Sequence, residues 1–184
     1  FITHDVDRPS RYSCISRKLF IKRTIGDSIS RDRLAFLKSS YIRFNSKNYI
    51  HPSDPYNTFN WIMNMSDELN IKSTFNFMCC KLGNKYDVKY KLKDIRIRNL
   101  LKDIESRGHL IGIHPSYESF RNKNLLKKEL ENFKKILQDE NFNQKIIGGR
   151  MHYLRWLWPE TAIALEFSGL KYDFTNREYF KNLY

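Results

Sequence analysis

The sequence predicts an α/β fold of parallel strands with outer helices. Two observations predict it. Short apolar runs alternate with helix-period segments, in the order strand, helix, strand, helix, strand, helix, strand, helix, strand. That alternation is what a parallel sheet needs for its crossover connections. The chemistry-bearing clusters also each follow an apolar run, and parallel sheets build their sites at the carboxyl ends of strands.

Residues 1–4 form an apolar strand that runs into Asp5-Val6-Asp7, and Arg8-Pro9-Ser10 breaks it. Residues 11–50 are rich in Arg, Lys, Ser and aromatics; a helix is expected over 31–43, and so long an irregular stretch reads as an active-site insertion. His51-Pro52-Ser53-Asp54-Pro55 stops and restarts the chain, with Asp54 as N-cap and Pro55 at the first helical position. Phe59, Ile62, Met63 and Leu69 then share one helix face. A strand over 71–80 and a polar loop over 81–91 follow. Residues 92–107 repeat apolar positions at Ile97, Leu100, Leu101 and Ile104, and Gly108 closes that helix. Residues 109–113 are a strand ending at His114-Pro115. Asn124 is expected to cap a basic helix over 125–139, with Leu126, Leu130, Phe133 and Leu137 as its buried stripe. Residues 145–149 and 170–174 read as strands around a helix over 159–167, which Ser168-Gly169 ends.

One domain over 1–184 is long enough to bury a core, and no apolar run is long enough to span a bilayer. The chain begins at Phe1-Ile2-Thr3, already strand-like, so further sequence is expected beyond its ends. The net charge is +13, from 33 basic and 20 acidic residues. The basic residues are spread along the chain, which favours a solvated basic surface over a nucleic-acid footprint. Cys14, Cys79 and Cys80 form no CxxC pair, which argues against a thiolate zinc site or a disulfide scaffold and fits a reducing, cytoplasmic compartment.

Thr3-His4-Asp5-Val6-Asp7 is the sharpest signal. Its two carboxylates lie two residues apart, on one side of an extended strand end. Converging without a cation they would repel, and a divalent metal removes that cost. The plainer alternative has one Asp capping the next helix. His114 closes a strand before a proline and can ligate metal, whereas His109 opens the same strand and reads as structural. Gly148-Gly149-Arg150-Met151-His152-Tyr153-Leu154-Arg155-Trp156 is a third cluster, dense in donors.

Together these motifs resemble the polysaccharide deacetylases, the NodB-homology carbohydrate esterases, over almost the whole chain. The resemblance implies an incomplete or distorted (β/α) barrel lacking its C-terminal part. It implies Asp5 as general base and Asp7 as metal ligand, with Val6 inserted between the paired aspartates. His114 matches the first of two metal histidines four residues apart, and the second falls on Glu118. His152 competes with Glu118 as third ligand. Arg150 matches the arginine that orients the base, and the Tyr153 amide matches the oxyanion donor. The family's late Leu-x-x-His, its general acid, has no counterpart before Tyr184. The implied activity is metal-dependent removal of acetyl groups from N-acetylated sugars, with zinc the first expectation among divalent metals and a carbohydrate as substrate. A non-catalytic carbohydrate-binding relative and a basic nucleic-acid-binding domain are the alternatives.

Overall fold

The computed structural model describes residues 2–30, 32–79 and 84–175. Strands β1 (Ile2–Val6), β2 (Ser73–Phe77) and β3 (Leu110–Ile113) form a parallel sheet in the order β1-β2-β3. In register, Ile2 pairs with Ser73 and Val6 with Phe77, then Thr74 with Leu110 and Phe77 with Ile113. Every residue of β2 is buried, as expected of a parallel strand covered on both faces. The row continues as parallel bridges from Ile113 to Gly149 and from Gly149 to Asp173. The strands expected over 145–149 and 170–174 are thus reduced to single bridges. Gly149 is required there, because a Cβ would meet the Ile113 carbonyl oxygen at 2.1 Å. The amide of Gln144 serves as a substitute strand beside β3, accepting from Ile111 N at 2.8 Å and donating to Ile111 O at 2.7 Å.

Among the described residues six α-helices accompany the strands: α1 (Arg17–Ser30), α2 (Ala35–Asn45), α3 (Phe59–Glu68), α4 (Ile95–Ser106), α5 (Lys123–Asp139) and α6 (Glu160–Ser168). Helix α4 begins where the Asp94 carboxylate accepts from Arg96 N, and it buries Ile97, Leu100, Leu101 and Ile104 as its periodicity predicts. Helix α5 buries the expected stripe, but its cap is Asn122, whose side chain accepts from Leu125 N, and not Asn124. Gly169 (φ 78°) ends α6 in the left-handed conformation.

Two expectations fail in the first third of the chain. The insertion holds two helices, α1 and α2, instead of one. Asp54 caps no helix: its buried carboxylate accepts from Ser10 Oγ (2.6 Å), Arg11 N (2.8 Å) and Tyr56 N (3.0 Å), and α3 starts later, at Phe59. A carboxylate that can satisfy a whole loop outcompetes the local cap.

The chain divides into two compact units. The first comprises Phe1–Asp7, Ile71–Val88 and Gly108–Tyr184, and the second Arg8–Asn70 and Lys89–Arg107. The first holds the sheet, α5 and α6. Phe75, Phe77, Ile111, Ile113, Leu126, Leu130 and Phe133 are buried in it. The second holds α1 to α4.

Candidate metal centre

All residues of the candidate site belong to the first unit. Asp5 lies on β1, and Asp7 follows its end. His114 follows β3, and its amide donates to the Phe77 carbonyl (2.8 Å), carrying the ladder one residue further. The loop after Gly149 is anchored by Arg150 N donating to Ile113 O (3.1 Å) and Met151 N donating to Thr175 Oγ1 (2.8 Å). It then makes a short 3-10 turn, His152–Leu154, in which Tyr153 (φ 58°) and Leu154 (φ 54°) are left-handed. Non-glycine residues adopt that conformation at a cost, and such positions cluster at functional sites.

Asp7, His114 and His152 bring one ligand atom each to a common point. Asp7 Oδ1 lies 3.5 Å from His114 Nε2 and 3.6 Å from His152 Nδ1, and the two nitrogens are 2.7 Å apart. A triangle of those sides has a point about 2 Å from every corner, which is the zinc–nitrogen and zinc–oxygen bond length.

The far nitrogens strengthen the fit. His114 Nδ1 donates to the Arg150 carbonyl at 2.6 Å, and His152 Nε2 donates to the Tyr86 carbonyl at 2.9 Å. A carbonyl only accepts, so both rings carry their proton on the outer nitrogen, and the lone pairs of the inner nitrogens face each other. Both rings are buried, at 2% and 5% side-chain exposure. Only a shared proton or a cation relieves two facing lone pairs at that distance. Outer-nitrogen bonds to carbonyls are also how proteins orient histidine ligands of metals. The donor set, two imidazoles and a carboxylate, suits zinc and neighbouring divalent ions.

Asp5 lies beside this cluster, with Oδ1 3.9 Å from His114 Nδ1. Asn76 Nδ2 donates to Asp5 Oδ1 (3.0 Å) and Arg150 Nη1 to Oδ2 (3.3 Å). Arg150 also donates to Thr3 Oγ1 and, through Nε, to the Phe174 carbonyl (3.2 Å). Asp5, Asp7, His114, His152, Tyr153 and Leu154 line an open cavity of about 220 Å³.

Glu118 is not in the cluster. Its carboxylate accepts from Arg121 Nη2 at 2.7 Å and lies 3.7 Å from Arg155 Nη1. The +4 spacing from His114 fails because Ser116 to Ser119 bend into a turn, with Ser119 N donating to Ser116 O (3.0 Å). The turn is held by Glu129, whose carboxylate accepts from Ser116 N (2.9 Å), Ser116 Oγ and Ser119 Oγ (3.0 Å). Burial pushes the Glu129 carboxyl above its ordinary value, and the serine hydrogen bonds oppose the shift. His109 is buried at the start of β3, where its Nδ1 accepts from Ser73 N (3.4 Å), in the structural role expected of it.

Sequence reading passed over Asn76, Thr3 and Glu129. Asn76 did carry a signal, as the amide inside Ser-Thr-Phe-Asn-Phe, an otherwise buried strand. Its side chain also explains Gly112 opposite, where a Cβ would meet Asn76 Oδ1 at 2.1 Å. Glu129 carried none, because a glutamate on a helix with many charged neighbours reads as solvent-exposed.

No family model, no curated protein and no solved structure matches this chain.

Proposed function

We propose that the first unit is the catalytic part of a metal-dependent deacetylase acting on N-acetylated sugars, on a barrel-like scaffold of the NodB-homology type. The convergence of Asp7, His114 and His152 beside an Asp5 braced by Arg150 carries this reading. Asp7 and the two histidines would hold the ion. A divalent cation supplies Lewis acidity toward the acetyl carbonyl and toward water.

The chain's own groups do the rest. Asp5, whose carboxylate lines the cavity and keeps a lone pair on each oxygen beyond its bonds to Asn76 and Arg150, serves as general base. Arg150 and Asn76 fix the carboxylate so that its accepting lone pair stays aimed. The Tyr153 amide, in backbone bent into the left-handed region at the cavity wall, would serve the oxyanion as the family resemblance implies. Tyr86, Tyr117 and Tyr153 form an aromatic group beside the cavity. The Tyr86 and Tyr117 rings stack at 4.4 Å, and Tyr153 stands edge-on to both at 5.8 and 5.6 Å. Aromatic walls with a few convergent polar groups suit a ring with an apolar face and polar rim.

Acetate release from N-acetylglucosamine oligomers by the zinc-loaded protein tests the reading. Asp5→Asn should abolish release and leave zinc affinity unchanged. Zinc binding without acetate from any N-acetylated oligosaccharide would instead support a carbohydrate-binding relative. One observation favours that second reading: Glu118, at the position of the family's second metal histidine, pairs with Arg121 and lies near Arg155 instead of joining the cluster.

A further inference from the structure

Helix α1 is built with its polarity reversed, and α2 leaves most of its large apolar side chains outside. The buried residues of α1 are Thr24 and Asp27, and α2 buries Ala35, Ser39 and Ile42. The two helices meet through a hydroxyl pair, Thr24 Oγ1 to Ser39 Oγ at 3.1 Å. Asp27 is satisfied inside by Arg11 and by Tyr12 Oη (2.8 Å). The large apolar side chains face outward instead. Ile21, Ile25 and Ile29 repeat every fourth residue of α1, with Ile29 83% exposed. Leu37, Tyr41 and Phe44 repeat along α2, with Phe44 73% exposed. Spacings of three and four make each set a stripe on one helix face.

The same segment is where the charge imbalance lies. Residues 8–47 contain eleven Lys and Arg against two Asp, a net +9, which leaves +4 for the other 144 residues. Basic residues are denser here, eleven in 40 residues against 22 in the other 144, and acidic ones are scarcer, two against 18. The two that remain are committed, Asp27 to Arg11 and Asp32 to Lys38 at 2.5 Å. Arg17, Lys18, Lys22, Arg33 and Lys47 are exposed in the same segment. Beside them, Leu37, Lys38, Tyr41, Ile42 and Ser53 line an open hollow of about 490 Å³ that is mostly apolar.

We propose that the α1–α2 pair is a docking surface for an anionic lipid bilayer, with the isoleucines and α2 aromatics entering the interface and the lysines and arginines engaging lipid headgroups. Large apolar side chains exposed in stripes on both helices mark a contact site, and the charge selects the occupant. A second copy of the chain would bring +9 against +9. Nucleic acid would accept the charge but has no use for branched aliphatic side chains, which neither stack on bases nor hydrogen-bond to them. An anionic bilayer takes both components, as interfacial amphipathic helices with basic flanks do. No helix among the described residues is long and apolar enough to cross a membrane, so the docking is peripheral. The inference does not depend on the metal centre.

Vesicle flotation of the full chain tests it, with phosphatidylglycerol–phosphatidylcholine vesicles against phosphatidylcholine alone. The expected result is flotation with the anionic vesicles only, weakened by salt. Lys18→Ala with Lys22→Ala should lower partitioning about 30-fold, at about a factor of five per basic residue near the surface. Ile25→Ser with Ile29→Ser should lower it about 10-fold or more, with thermal unfolding unchanged because both sites are exposed. Absence of flotation on anionic vesicles, or flotation indifferent to both double variants, overturns the proposal. So does a dimer in light scattering that Ile25→Ser with Ile29→Ser returns to monomer, which would make the second copy the occupant. Tight oligonucleotide binding lost with the lysines but not with the isoleucines would likewise overturn it.

Discussion

The sheet unit and the α1–α2 pair use apolar residues in opposite ways. In the first, Phe75, Phe77, Ile111 and Phe133 are fully buried, and the polar groups that join them inside, Asn76, His114 and Glu129, each have bonded partners. In the second, Thr24, Ser39 and the Asp27 carboxylate lie inside with Ala35 and Ile42, while Ile21, Ile25, Ile29, Phe36 and Phe44 lie outside. The contrast shows that burial of apolar surface is not a local property of a helix. Where inward polar groups are fully hydrogen-bonded, an outward apolar face is tolerated, and it then marks a surface available to a partner.

The largest effect should come from the proposed metal ligands. His114→Ala and His152→Ala should each weaken zinc binding by about 10³-fold or more in a chelator competition, since three protein ligands are the least that hold the ion well. Glu118→Ala should stay within about 2-fold. Equal losses for Glu118 and His152 would mean that the 118 loop rearranges to ligate, and the fixed site described above would be wrong.

Truncation in the core sharpens the contrast directly. Phe75→Ala should cost about 3–5 kcal/mol in urea unfolding. Ile25→Ser, an equally apolar loss on the α1 face, should stay within about 0.5 kcal/mol. Similar costs would show that α1 buries its isoleucines in solution.

Arg150→Ala tests the proposed base role of Asp5 separately from the proposed metal site. Turnover should fall about 10²-fold with little change in zinc affinity, because Arg150 bonds Asp5 through its side chain and His114 only through its backbone carbonyl. Parallel loss of both would make Arg150 a support of the metal ligands.

The smallest effect concerns pH. The Glu129 carboxyl is held above its ordinary value of 4.5 by burial, so folding favours its protonated form. Its contribution to stability is therefore present below pH 4.5 and is lost as pH rises through the raised folded value. Glu129→Gln removes that slope: relative to the variant, the native chain should lose stability as pH rises from 4.5 toward neutrality. A difference between the two that is flat across that window would show that Glu129 is charged in both states.

The sequence by itself determined the parallel α/β order, the faces of α4 and α5, and the placement of Asp5, Asp7 and His114 at strand ends. These follow from patterns within one element, where periodicity and strand termini act over a few residues. Tertiary structure decided the rest. Glu118 stood first on paper with His152 as its rival, and His152 reaches His114 across 38 positions because the bridge from Ile113 to Gly149 sets the two segments side by side, while Glu118 turns away in its own loop. Asp54 satisfies a distant loop instead of a nearby helix, and α1 faces inward with its hydroxyls. In each case the deciding energy is the hydrogen bonding of buried polar groups between segments far apart in the chain, and no local pattern encodes which partners will meet.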